Sequence, residues 1–408
     1  MKRTTAVIIG AGQSGLAMSF ELMNRGIDHI ILERGEVANS WRHERWDSLR
    51  LLTPNRMNNL PGVPYDGPDN DGFMSVSELI DRFDACLKKT AFPVQLGTTV
   101  LSVKPLSSGY IVQTDQGTIE AKIVVMATGA NVHPKIPAFS HAFPKDIVQT
   151  NPLHYKRPSD LPHGKTLVVG ASASGLQLAK ELQCSGRQVT LAVGNHTRMP
   201  RSYRGSDILE WMARIGVTNT LYSDAPDIDR LRRLPSPSLT ANESLDLNKL
   251  QELGVELVGR CVGLEDGRVQ FSGSLANICA SADLKMARLL ASIDAYESAH
   301  THDGIHGTPL PPAPTLLPDD PRLSIDLAQE GYASILWATG FTPNFSWLRA
   351  PYFDRKGQLL HDGGVVAQGL YVMGLPYMRY RRSTLLHGAS SDAAELANHM
   401  QHGLFKAA

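Results

Sequence analysis

Residues 5–9, Thr-Ala-Val-Ile-Ile, form a short β-branched, apolar run that leads directly into Gly10-Ala11-Gly12-Gln13-Ser14-Gly15. Such a run reads as a strand buried on both faces, and an apolar helical periodicity follows from Leu16 to Asn24. Gly26 is placed to close that helix, and His29 to Leu32 reads as the next parallel strand. The pattern returns at 166–193, with Thr166 to Val169 as strand, Gly170 to Gly175 as turn and Leu176 to Cys184 as helix. Gly186 is placed as its cap, and Gln188 to Val193 is the second strand of the copy. Two βαβ units leave few folds open. We expect an α/β protein with two Rossmann-like dinucleotide-binding domains.

Between the units the texture changes. Residues 94–126 alternate in short runs, with turn signals at Ser108-Gly109 and Asp115-Gln116-Gly117, and read as an antiparallel meander. It returns to a buried strand over Ile123 to Met126 that ends in Ala127-Thr128-Gly129. A similar ending follows Ser334 to Trp337, as Ala338-Thr339-Gly340. Six prolines within 306–321 mark a surface connection, while residues 275–298 and Ala389 to Met400 read as helices. This repetition predicts a discontinuous layout. One domain comprises 1–155 and 330–408, and the second, 156–329, is inserted between its halves.

Length and composition remove several alternatives. A chain of 408 residues with 42% apolar and 20% charged residues is an ordinary globular protein with material for two or three domains. Forty Lys plus Arg balance forty Asp plus Glu, so nothing suggests a nucleic-acid partner. The four cysteines, Cys86, Cys184, Cys261 and Cys279, form no C-x-x-C pair. That spacing argues against a dithiol reductase, which needs two neighbouring thiols, and fits reduced structural thiols in the cytoplasm. The N-terminus runs straight into a strand, leaving no room for a signal peptide, and no apolar run reaches the roughly 20 residues that span a bilayer. His302, His306 and the other histidines show no metal-ligand spacing, and no metal is expected.

The first turn is a G-x-G-x-x-G in the context that gives the pattern meaning, after a strand and opening a helix. Gly10 permits the turn, Gly12 lets the backbone approach a pyrophosphate, and Gly15 allows helix to pack on strand. The unpaired N–H groups at Gln13 and Ser14 then face the phosphates. Glu33, 18 residues after Gly15, ends the next strand where a carboxylate accepts from a ribose diol. In the second turn Ser172 replaces the middle glycine, and Ser174 precedes Gly175. No acid ends the following strand; Asn195, His196, Arg198, Arg201 and Arg204 follow instead. A carboxylate there repels a 2′-phosphate and an arginine fork binds it, so NADPH is favoured, with NADH the alternative donor. Arg198 and Arg204 are the candidate ligands, and a solvated basic loop is the competing reading.

These residues resemble the flavin-containing monooxygenase superfamily, most closely its bacterial CzcO-like branch. The likeness covers nearly the whole chain. It runs through Gly10 to Gly15 with Glu33, Ser40-Trp41-Arg42, Trp46 to Asn55, Leu60 to Tyr65 and Ala127-Thr128-Gly129. It continues at Tyr155 to Pro162, Arg201 to Asp207, Ala338 to Phe341, Arg381-Arg382-Ser383 and His387-Gly388. The resemblance implies FAD on the first unit and NADPH on the second. It also implies that Arg34, Trp41, Arg42, Thr128, Gly129, Gly170, Thr339 and Gly340 belong to the cofactor sites. In such enzymes NADPH reduces the flavin, oxygen adds at C4a, and the peroxyflavin passes oxygen to a soft nucleophile or attacks a carbonyl.

Three residues stand as catalytic candidates by the same resemblance. Asn55 lies in a segment that runs near the flavin ring, where an amide could hydrogen-bond the flavin adduct; a turn residue in Thr-Pro-Asn is the equal alternative. Asn151 occupies the register at which the family fingerprint usually carries a histidine. His387, with the Arg379 to Arg382 cluster, precedes a last helix whose N-terminus could stabilise a reduced flavin. Trp41 and Trp46 could pack along the flavin, although large aromatics are usually core.

The function expected is an NADPH-consuming, FAD-dependent monooxygenase acting with O2 on a small organic substrate, heteroatom oxygenation being favoured. An NAD(P)H-linked oxidase or dehydrogenase, a Baeyer–Villiger enzyme and a redox-sensing regulator of a transporter are the alternatives. A homodimer is compatible with all four.

Overall fold

A computed structural model describes residues 1–300 and 307–406. His302 and His306 lie outside the described residues. The chain opens with β1 (Lys2–Ile9), α1 (Gln13–Asn24) and β2 (His29–Leu32), the first βαβ unit. A long loop leads to α2 (Val76–Lys89), whose start is fixed by a capping box: Ser75 Oγ accepts from Glu78 N and the Glu78 carboxylate accepts from Ser75 N. Then come β3 (Val94–Gln95), β4 (Val100–Pro105), β5 (Tyr110–Thr114) and β6 (Gly117–Met126). After β7 (Val148–Thr150) the second unit follows as β8 (Lys165–Val169), α3 (Ala173–Cys184) and β9 (Val189–Ala192). The remaining principal elements are α4 (Leu247–Glu252), β10 (Glu256–Val258), α5 (Leu275–Ala299), β11 (Tyr332–Trp337), β12 (Val365–Ala367), β13 (Leu370–Val372) and α6 (Leu386–Lys406).

The first sheet has the order β12-β13-β6-β1-β2-β3, with β5 beside β6 and β4 beside β5. β1 is parallel to both neighbours, Ile8 standing opposite Ile31 on one side and Val125 on the other. Ala6, Val7 and Ile8 are completely buried, which explains why β1 needs apolar residues at consecutive positions rather than in alternation. α1 and α6 pack on each other, and Leu16, Met18, Leu22, Leu396 and Met400 enter the same core.

The second sheet is wholly parallel in the order β10-β9-β8-β11-β7. This corrects the expected joints at 155 and 330, because β7 and β11 both belong to the inserted domain. β11 is held there by its register, Ile335 opposite Leu167, and by a buried hydroxyl pair between Thr166 and Ser334 at 2.8 Å. Its last residue, Trp337, is buried against Phe139 and Phe143. The two chain crossings run side by side as a short antiparallel ribbon, Phe341 opposite Pro134 and Thr342 opposite His133. The similar Ala-Thr-Gly endings therefore serve one role in two domains. Ala127 follows β6 and crowds Gly10, while Ala338 follows β11 and crowds Gly170: a Cβ on either glycine would meet the alanine carbonyl at 2.7 or 2.4 Å.

The proline-rich connection is strapped to the inserted domain. Asn248 of α4 donates to the Pro314 carbonyl and accepts from Leu316 N, and Asp283 of α5 accepts from Thr315 N and its hydroxyl. At the second turn, an added Cβ on Gly175 would lie 1.8 Å from the Gly170 carbonyl. Gly175→Ala must push α3 off β8, an overpacking cost of about 1–3 kcal/mol. A lowered thermal midpoint is expected, and an unchanged midpoint would show that the helix sits farther from its strand.

Candidate active site

The carboxyl ends of β1 and β2 open onto a cleft of about 960 Å³, where Ile9, Leu32 and Ala127 form part of the floor. Gly10, Gly12, Gln13 and Ser14 line it from the first domain, and Ala173, Ser174 and Gln177 line it from the second. Both helix N-termini thus face one space. An added Cβ on Gly15 would lie 1.9 Å from the Gly10 carbonyl, so the glycine lets α1 start directly against the turn, whereas one on Gly12 would meet nothing within 4 Å. The open side at Gly12 is the approach a phosphate needs.

Glu33 is buried and fastens this turn. One carboxylate oxygen accepts from Ala11 N at 2.8 Å and the other from Gly35 N at 3.0 Å. Thr128 and Gly129 line the opposite edge, and the Thr128 hydroxyl is buried with no partner among the described residues. A buried hydroxyl without a partner is costly, and a ligand in the cleft can relieve it. Gln13 ties the turn to the loop before α6 by donating from Nε2 to the Thr384 carbonyl at 2.9 Å. Arg34 lines the cleft and pairs with Glu44 at 3.6 Å. Trp41 also lines it, with the Arg45 guanidinium 4.8 Å from its ring centre. Arg42 turns away: its Nε donates to the Val37 carbonyl and its fork pairs with Asp84 of α2.

In the second domain Ser174 reaches the cleft, while Gly170, Ser172 and Gly175 form the turn behind it. Arg198 is buried between Asp246 and Asp283, with Nη1 2.8 Å from the latter. Arg204 donates from Nε to Asp294 at 2.7 Å. Both guanidinium groups are engaged by carboxylates. The arginine standing at the end of β9 is Arg260, whose Nη2 donates to Asn195 Oδ1 at 2.7 Å on the exposed surface. Thr339 and Gly340 lie where the chain crosses between sheets, the Thr339 hydroxyl donating to the Lys135 carbonyl, and neither lines the cleft.

The three catalytic candidates do not converge. Asn55 is buried, its amide donating to the Asp69 carbonyl at 2.9 Å and accepting from Met74 N at 2.9 Å, so it staples the 53–74 loop. Asn151 accepts from Leu153 N at 3.0 Å and donates towards His154 Nδ1. It thereby shapes the turn that presents Pro152 and Leu153 to the cleft. His387 sits in the first turn of α6 behind Leu386, with Nδ1 unpartnered and its pKa lowered by burial and by the charge of Arg382. None of the three lines the cleft.

Other residues do, and sequence reasoning passed over most of them. Pro376, Tyr377, Arg381, Thr384 and Leu385 come from the loop before α6, and Leu231, Arg232, Leu234 and Pro235 come from the inserted domain. Only the Arg379 to Arg382 cluster carried a signal, and it divides: Arg379 pairs with Glu395 at 2.6 Å, while Arg381 faces the cleft. All four thiols are free and none lines the cleft; burial pushes Cys261 and Cys279 up to about 11.

Two dinucleotide turns facing a shared cleft define a two-domain flavin- and nicotinamide-dependent oxidoreductase. The chain belongs to the pyridine nucleotide-disulphide oxidoreductase family, whose model matches residues 7–214. An uncharacterized CzcO-like oxidoreductase of Geobacillus kaustophilus is 29% identical over 96% of this chain and 97% of its own. An indole-3-pyruvate monooxygenase of Oryza sativa, YUCCA1, is 31% identical over 49% of this chain and 50% of its own. The flavin-containing monooxygenase of Stenotrophomonas maltophilia shares the fold, with a TM-score of 0.69 at 18% identity over 98% of this chain and 99% of that one. The first turn fits a flavin dinucleotide: an open glycine edge, a fastened acid and an orphaned hydroxyl surround one end of the cleft.

The loop before α6 rests on a buried acid. Ser383 Oγ accepts from Arg379 N and Tyr380 N, and behind it Asp392, almost fully buried, is pushed up to about 7 by burial. The Ser383 hydroxyl and the nearby Arg379 charge oppose that shift without cancelling it. Because the folded-state value lies above the unfolded one, the group favours the folded chain in its neutral form, and that advantage is lost as pH rises from about 4 through 7. Asp392→Asn is therefore expected to raise the thermal midpoint at pH 8, with the gain shrinking steadily towards pH 4. A gain independent of pH would mean that Asp392 does not titrate in this window.

Proposed function

We propose that this chain is a FAD-dependent, NADPH-consuming monooxygenase that oxygenates a small organic molecule, favouring a heteroatom. The observation that carries this reading is the single cleft onto which both helix N-termini open, with no thiol on its walls. A thiol-free wall leaves no disulphide to take electrons from a reduced flavin, so oxygen and a diffusible substrate are the acceptors within reach.

In this reading the N-terminus of α1, at Gln13 and Ser14, holds the flavin pyrophosphate, with Glu33 accepting from the ribose and the Thr128 hydroxyl finding its partner on the flavin. Ala173 and Ser174 at the N-terminus of α3 hold the nicotinamide dinucleotide. When bound, the flavin supplies the redox and oxygen-activating chemistry. The chain orients the reactants and excludes water with the apolar Leu231, Leu234, Pro235 and Pro237 on one side and Pro376 and Leu385 on the other.

Incubation under labelled O2 with NADPH and a panel of thioethers and amines tests the reaction. Label in a substrate-derived product is expected; label confined to peroxide and water would make the chain an NAD(P)H oxidase. Arg260 supplies the nicotinamide choice, since among the described residues it pairs with no carboxylate and stands beside Asn195 at the end of β9. Arg260→Gln is expected to weaken NADP+ binding roughly tenfold in an equilibrium titration and to leave NAD+ binding unchanged. Equal weakening of both would assign Arg260 a structural role.

A further inference from the structure

Six arginines line the cleft, Arg34, Arg45, Arg50, Arg232, Arg349 and Arg381, against two acids, Glu33 and Glu44. Several have evident partners: Arg34 pairs with Glu44, Arg45 lies over Trp41, and Arg50 donates to the Phe73 carbonyl. Among the described residues Arg232, Arg349 and Arg381 make no ion pair or ring contact, and of these Arg232 and Arg381 come together at Tyr377. Arg232 ends the short helix Ile228–Arg232 of the inserted domain, and its Nε donates to the Tyr377 carbonyl at 3.3 Å. Arg381 projects into the cleft from the loop before α6, with Tyr377 as the titratable group acting on it. Tyr377 therefore lies between two cations that come from separate domains.

Among the described residues neither guanidinium meets a carboxylate within ion-pair distance. Desolvation lowers the pKa of both, opposed at Arg232 by the charges of Asp229 and Tyr222 and at Arg381 by Tyr377; Arg232 is half-buried and Arg381 is exposed to the cleft. Leu231, Leu234, Pro235, Pro376 and Leu385 line the same cleft, together with the polar Ser236, Tyr377 and Thr384. Backbone strain marks the same place. Tyr377 is one of four non-glycine residues with positive φ among the described residues, at 46°, a conformation that costs free energy and persists where the surroundings enforce it. Arginine forks are matched to carboxylates. Neither residue belongs to a glycine turn, where helix N-termini already receive the pyrophosphates.

We infer that Arg381 and Arg232 form the anion-recognising end of the substrate chamber, so that the substrate is an organic carboxylate carried on an apolar body. The inference rests on the monooxygenase reading above. The apolar walls take the body of the molecule, and the two forks fix its carboxylate, orienting the oxidisable atom towards the flavin end. A neutral thioether or amine lacks this anchor.

The test uses 4-(methylthio)benzoate and its uncharged amide with the flavin-loaded protein. Equilibrium binding is read from the flavin spectrum, S-oxygenation from product, and NADP+ affinity is titrated in parallel. The carboxylate is expected to bind at least tenfold more tightly than the amide in the native chain. In R381Q and R232Q that preference should fall several-fold towards unity with NADP+ affinity retained. R381K keeps the charge but not the fork, and should fall between the two. Equal binding of acid and amide, or a preference unchanged in both glutamine variants, would overturn the inference. A loss of NADP+ affinity in R381Q with the acid preference intact would also overturn it, by assigning the cation to a cofactor phosphate. The two proposals fail separately: acid-selective binding without oxygenation sinks the monooxygenase reading alone, and oxygenation without acid preference sinks only this one.

Discussion

The approach of a helix to the strand before it, made possible where Gly15 meets the Gly10 carbonyl and Gly175 meets the Gly170 carbonyl, governs the architecture. With a side chain at either position the helix would stand off its turn, and its first N–H groups would no longer point over the strand ends. The second contact in each domain is the alanine carbonyl after the neighbouring strand, Ala127 or Ala338, pressed against the first glycine. Three backbone segments are thereby locked together twice. Because the two crossings between sheets pair with each other at 133–134 and 341–342, the two locked corners open on the same cleft.

Most of this was legible in the sequence, because local chemistry decides it. Buried parallel strands require consecutive apolar residues, tight turns require glycine, and helices show their period, so both βαβ units fall within a few residues of the expected bounds. The domain joints were not legible. Ser334 to Trp337 reads as a buried strand in any sheet, and only its pairing with Leu167 and the Thr166–Ser334 hydroxyl contact assigns it to the inserted domain. Sheet membership is a long-range property, and a repeated Ala-Thr-Gly ending is equally compatible with either sheet.

The arginines show the same limit at the level of charge. Arg198 and Arg204 follow the strand that should present a phosphate ligand, yet their partners lie 48, 85 and 90 positions away at Asp246, Asp283 and Asp294. A buried arginine joined to two acids is a cross-link between α4 and α5, and its charge is already matched. Arg260 and Arg232 carried no local pattern at all. What distinguishes a structural cation from a binding one is the absence of a carboxylate within reach, which sequence spacing does not reveal. Asn55 and Asn151 show the complementary arrangement: their amides bond backbone atoms that the loops need, and neither lines the cleft.

The loop before α6 joins these themes. Arg379 is held by Glu395 and the Gly363 carbonyl, Ser383 accepts two backbone N–H groups, and Gln13 grips the Thr384 carbonyl. Every anchor in that stretch faces the protein, while Arg381 is left facing the cleft. A flexible basic tail would place its charges in water, where they are screened and cost little. Here the neighbouring side chains are fixed and the strained Tyr377 sets the entry to the loop, so the exposed charge has a defined position. A cation fixed at the cleft, with no carboxylate paired to it among the described residues, is the feature on which the proposed anion site rests, and it would give the cleft a direction for an anionic substrate.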